Sequence, residues 1–108
     1  MKKVLLPELA EVIRSKNAGP YELTLDVIFK SQDIFTQIVA RKIFTPTFIA
    51  RLYQIPVKQV ISVVDFPPAR AIKATIVRPR VCGDIGETDI YGAQQHAPLL
   101  NVAIEWDN

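Results

Sequence analysis

The residues best suited to chemistry in this chain gather between Arg78 and Asn101, in the run RPRVCGDIGETDIYGAQQHAPLLN. It holds three of the four glycines and the only cysteine and histidine. Arg78 and Arg80 share one side of an extended segment, so their guanidinium groups can grip one carboxylate or phosphate together. Pairing with Asp84, Glu87 or Asp89 is the plainer use of the same charges. Gly83, Gly86 and Gly92 allow close backbone approach, and a loop of this kind can turn successive N–H groups toward an anion. Asp84 and Asp89 suit turn closure as well as ligand contact. Gln94 and Gln95, three residues beyond Tyr91, offer amides to a carbonyl or carboxylate. His96 could move a proton near neutral pH with Asp84 or Asp89 beside it, or could bond backbone and hold the loop in place.

That inventory falls short of a complete catalytic set, because no nucleophile with a neighbouring base stands out. Cys82 reads as a small apolar residue, and Cys82 with His96 is too few ligands for a closed zinc site. No Gly-Lys-Ser/Thr follows a strand, so the glycines do not form a nucleotide phosphate loop. The expectation is therefore no metal and no cofactor.

Length and composition narrow the class. A chain of 108 residues, 49% hydrophobic and 22% charged, is one ordinary globular domain with enough mass for a single core. A net charge of +2 argues against a nucleic-acid partner, which calls for a clustered basic footprint. No apolar run reaches the length of a membrane span, and the start MKKVLLPELAEV is broken by Pro7 and Glu8. A single cysteine fits the reducing cytoplasm, the expected location.

The elements that must position these residues follow from periodicity. Leu6, Leu9, Ala10 and Ile13 recur at helical spacing after Pro7, predicting a short first helix that Asn17 to Pro20 stops. On that reading Arg14, Ser15, Lys16 and Asn17 crowd its C-terminal end, where Ser15, Lys16 and Asn17 could meet a ligand or partner. From Tyr21 to Phe29 the period changes to two, the clearest strand in the chain. Ser31 caps a helix through Ile34, Phe35, Ile38, Val39 and Ile43, and Thr45-Pro46 opens a shorter one. Strands are expected at Ile61–Phe66, Arg70–Val77 and Leu100–Trp106, with Pro67-Pro68 turning the chain between the first two. The sum is an α+β, two-layer ferredoxin-like sandwich: a mainly antiparallel four-stranded sheet, helices on one face, and a long ordered loop from Arg78 to Pro98 in place of one helix. Structureless stretches beyond roughly 12–15 residues are uncommon in compact domains and tend to be functional.

The combination of IRSKNAGPYELTLD (Ile13–Asp26), TPTFIARLYQIP (Thr45–Pro56) and IKATIVRPRVCGDIGETDIYGAQQHAPLLN (Ile72–Asn101) resembles the family of small bacterial domains called domain of unknown function 4387. These domains accompany the acyclic terpene utilisation protein AtuA, and the resemblance covers nearly the whole chain. It implies a ferredoxin-like fold and a role as a small subunit or accessory domain beside a larger AtuA-like polypeptide. The implied setting is catabolism of branched or unsaturated carboxylic acids or their thioesters, with the 78–98 loop serving an anionic organic substrate or the partner. It carries no assigned catalytic residue. Two other expectations stand beside it: a self-sufficient hydratase, lyase or isomerase built on His96 with Asp84 or Asp89, and a homo-oligomer formed through an exposed sheet edge.

Overall fold

The computed structural model describes residues 2–19, 21–77 and 96–106. Its elements run β1 (Lys2–Leu5), α1 (Leu6–Leu9), β2 (Ala10–Asn17), β3 (Glu22–Phe29), α2 (Gln32–Ala40), α3 (Pro46–Tyr53), β4 (Val60–Phe66), β5 (Ala71–Val77) and β6 (Ala103–Trp106). Short 3-10 turns at Val57–Gln59, Pro67–Ala69 and Ala97–Asn101 join them. The chain is thus α+β, with a four-stranded sheet in the order β2-β3-β5-β4, every neighbouring pair antiparallel, and a two-stranded sheet of β1 and β6.

The alternation on β3 builds the core. Leu23, Leu25, Val27 and Phe29 are all buried on one face of the sheet, beside Ile72, Ala74 and Ile76 of β5. The helices close over that face. The Phe29 ring lies 6.4 Å from Phe35 of α2 and 6.2 Å from Phe44, which in turn meets Phe48 of α3 at 5.4 Å. Both helices begin at the predicted caps: the Ser31 hydroxyl accepts the Ile34 N–H at 3.1 Å, and the Thr45 hydroxyl accepts that of Phe48 at 3.1 Å. Gln54 ends α3 in the left-handed region at φ 57°.

Two expectations are corrected. The first helix stops after one turn, at Leu9, and the chain becomes strand β2. The helical signals before that point are real, since Pro7 sits in the first turn and the Glu8 carboxylate accepts the Leu5 N–H at 2.8 Å. Beyond it Val12 and Ile13 are β-branched, and β3 offers both of them a partner, so distant pairing overrides local spacing. The Lys30 N–H donates to the Leu9 carbonyl at 3.0 Å, and a bulge between Ala10 and Val12 resets the phase of the strand. Ala18 and Gly19, read as part of a helix stop, instead belong to a hairpin: Gly19 has φ 96°, and the Ala18 N–H donates to the Glu22 carbonyl at 2.9 Å.

The second correction concerns the last strand. Residues from Ala97 to Asn101 form a 3-10 turn, and only Ala103–Trp106 is extended. That strand pairs with β1, too short to show a period in the sequence, with Val4 opposite Ile104. Arg41 fastens it to the helices, donating from Nη1 to the Glu105 carbonyl at 2.7 Å while its guanidinium lies 4.9 Å from the Trp106 ring centre. The place in the four-stranded sheet expected for the C-terminal strand is therefore taken by β2. The expected loop in place of a helix falls largely on residues 78–95, outside the described residues.

Burial raises the Tyr53 phenol well above its usual ionisation range. An unfolded tyrosine ionises near pH 10, so the folded state is favoured below that pH and loses this contribution as pH rises beyond it. Urea unfolding at about pH 9 and about pH 11 should therefore show a larger loss for wild type than for Tyr53→Phe. Equal losses would contradict the assignment.

Candidate functional site

With the helices on one face of the four-stranded sheet, the alternate residues of each strand face the other way. The pairing aligns them in rows. Arg14, Asp26, Lys73 and Val64 are successive partners across β2, β3, β5 and β4. Lys16, Thr24, Thr75 and Ser62 form the next row, and Val12, Ile28, Ala71 and Phe66 the row on the other side. Among the described residues no helix covers this face, and it forms a groove of about 450 Å³.

Its chemistry is divided. Arg14, Lys16 and Lys73 bring three cations to the groove against one carboxylate, Asp26. The other wall is apolar, made by Ile28, Ala69, Ala71, Val64 and Phe66. Val64 and Phe66 are 52% and 56% exposed, a large apolar exposure beside a charged cluster. Asp26 is buried at the floor and is held by Arg14, whose Nε donates to Oδ2 at 3.1 Å. Thr24 is buried beside it and donates to the Lys16 carbonyl at 3.2 Å. Arg14 is thereby committed in part to the floor, while Lys16 and Lys73 are exposed and have no carboxylate within ion-pair distance among the described residues.

Two strand spacings across the sheet and one row along it separate Lys16 from Lys73, about 12 Å between backbones. Their flexible four-carbon stems can bring both ammonium groups to a single anion. The two walls can accommodate a small organic anion, its charge toward the lysines and its hydrocarbon body toward Ile28, Val64 and Phe66.

The residues singled out from sequence separate across the fold. Lys16 lies in the groove wall. Ser15 is buried and, with Asn17, belongs to the alternate set on β2, opposite Leu25 and Leu23 of the helix-covered face. The three do not form one cluster at a helix end, because the helix is a strand and its neighbours alternate. His96 precedes the 3-10 turn Ala97–Asn101, its carbonyl accepting the Leu99 N–H at 2.9 Å, and that turn packs against α1 and α3. Arg78, Arg80, Asp84, Asp89, Tyr91, Gln94 and Gln95 lie outside the described residues.

Sequence reasoning missed Arg14, Asp26 and Lys73 as site residues. A signal exists for Asp26 and Lys73, since each alternates with the apolar residues of its strand. What was lacking was their alignment in one row. Among the described residues no group of three or more His, Cys, Asp or Glu side chains could hold a metal ion, and no helix is long and apolar enough to cross a membrane. A second cleft, of about 300 Å³ between Arg41, Phe48 and β6, is walled by the Arg41 and Glu105 contacts that fasten β6.

These features define an α+β domain in which, among the described residues, one sheet face is covered by helices and the other, partly basic, is open. The chain belongs to the family described as Domain of unknown function (DUF4387), which matches residues 6–103. No curated protein and no solved structure matches it significantly.

Proposed function

We propose that this domain is an accessory subunit that presents its open sheet face to an organic carboxylate, working beside a larger AtuA-like polypeptide in the catabolism of branched or unsaturated carboxylic acids or their thioesters. The observation that carries the reading is the division of the groove: lysines from two strands on one side, and Ile28, Val64 and Phe66 on the other. A carboxylate with a short branched chain is complementary to both halves. On this reading Lys16 and Lys73 hold and orient the anion, and the partner supplies the reacting groups. The resemblance to AtuA-associated domains supports the choice of partner and of substrate class.

A self-sufficient hydratase, lyase or isomerase centred on His96 finds less support. That reading pairs His96, at the start of a turn that packs on α1 and α3, with Asp84 or Asp89, which lie outside the described residues, whereas every group of the groove is described.

Calorimetric titration with 3-methylbutanoate should give saturable binding, and the neutral 3-methylbutanamide should bind about tenfold more weakly. Lys73→Ala should lose about tenfold for the carboxylate and leave the amide nearly unaffected. Equal binding of acid and amide would overturn the anion assignment. Affinity purification from the native host should recover an AtuA-like chain together with this one, and recovery of this chain alone under mild conditions would count against the accessory role.

A further inference from the structure

The two edges of the four-stranded sheet are built differently. On β2 the edge carries Glu11, Arg14 and Lys16, charges of the kind that discourage a strand from pairing with another chain. On β4 the opposite edge reads VISVVDF, with one charge, no lysine and no proline. Ile61, Val64 and Phe66 of this strand are 50%, 52% and 56% exposed. A bulge between Val60 and Ser62 disturbs its first residues, but Ser62–Phe66 runs in unbroken register with β5. Such a segment offers a row of N–H and C=O groups that no other described strand takes up.

We propose that β4 pairs antiparallel with β4 of a second copy of this chain, joining two four-stranded sheets across a two-fold axis. The strand is complementary to itself. A register centred on Val64 sets it against the partner's Val64, Ser62 against the partner's Phe66, and Val63 against the partner's Asp65. The single acidic residue therefore never meets its own copy directly, where like charges would repel. A two-fold axis normal to the sheet keeps open face with open face, so Val64 and Phe66 of both copies form one apolar strip.

The basic residues do not oppose this arrangement. Lys73 is on β5, so three strand spacings, about 14 Å, separate it from the partner's Lys73. That exceeds the Debye length of about 8 Å at physiological ionic strength. A foreign strand would need its own complementary sequence, whereas a second copy already has one. Five paired residues a side fall short of the roughly 1,200–2,000 Å² of a standard interface, which makes this a weak, transient association. The inference rests on the strand edge and is independent of which ligand the groove takes.

Sedimentation equilibrium of the full chain from about 1 μM to about 1 mM should show the average mass rise from 12.1 kDa toward twice that value. Val64→Lys places two ammonium groups face to face and should weaken association about tenfold or more. Val57→Lys removes a valine of similar exposure, 53%, from the turn before the strand and should leave association unchanged. Circular dichroism of both variants establishes that they fold. A mass of 12.1 kDa throughout, or equal effects of the two substitutions, would overturn the proposal.

Discussion

With Arg14 opposite Asp26 and Ser15 opposite Leu25, the register of β2 on β3 assigns one half of β2 to the open face and the other half to the helix layer. The side-chain period of a strand is two, so a slip of one residue would turn Arg14 and Lys16 into the core and expose Ser15 and Ile13. The bulge between Ala10 and Val12 holds the phase at one end of the strand, and the hairpin through Gly19 holds it at the other. Arg70 reinforces the bulged end, donating from Nε to the Phe29 carbonyl at 3.0 Å with Nη2 3.5 Å from the Glu11 carboxylate. The same pairing fills the edge position of the sheet that the C-terminal strand was expected to take, leaving that strand to β1.

One consequence of this register is a buried carboxylate on the otherwise open face. A carboxylate removed from water needs a partner, and Arg14 from the adjacent strand supplies it. The pair forms a charged floor from which Lys16 and Lys73 rise on either side, with the apolar wall of β4 beyond. The sheet is asymmetric across its width. One edge strand contributes cations and the other contributes valine and phenylalanine, so the groove is polar on one side and oily on the other. The same lack of charge on β4 leaves its edge open to a second strand.

Much of the fold was legible in the sequence because local signals and tertiary demands agreed. The period of β3, the caps at Ser31 and Thr45 and the turn at Pro67-Pro68 all stand where composition and spacing put them. Agreement failed at Ala10–Asn17, where Leu6, Leu9, Ala10 and Ile13 fit a helical face and a strand partner lay elsewhere in the chain. Hydrophobic spacing over so few residues cannot weigh a helix against a strand that gains its hydrogen bonds from a neighbour. The site was less legible for the same reason. Lys16 was chosen, but for a helix end that does not exist. Asp26 and Lys73 alternate with the apolar residues of their strands, yet nothing in the linear sequence says that β3 and β5 are neighbours in a register that sets them side by side. The arginines, aspartates and glutamines between Arg78 and Gln95 drew notice by residue type, and they lie outside the described residues.

The central claim is that the open face of the sheet, rather than the turn beginning at His96, receives an organic anion. Backbone amide correlation spectra recorded while 3-methylbutanoate is added test it residue by residue. The expected result is progressive shifts at Arg14, Lys16, Asp26 and Lys73, with His96 and Leu99 nearly still. Shifts confined to the turn from His96 to Asn101, with the amides of β2, β3 and β5 unmoved, would contradict it.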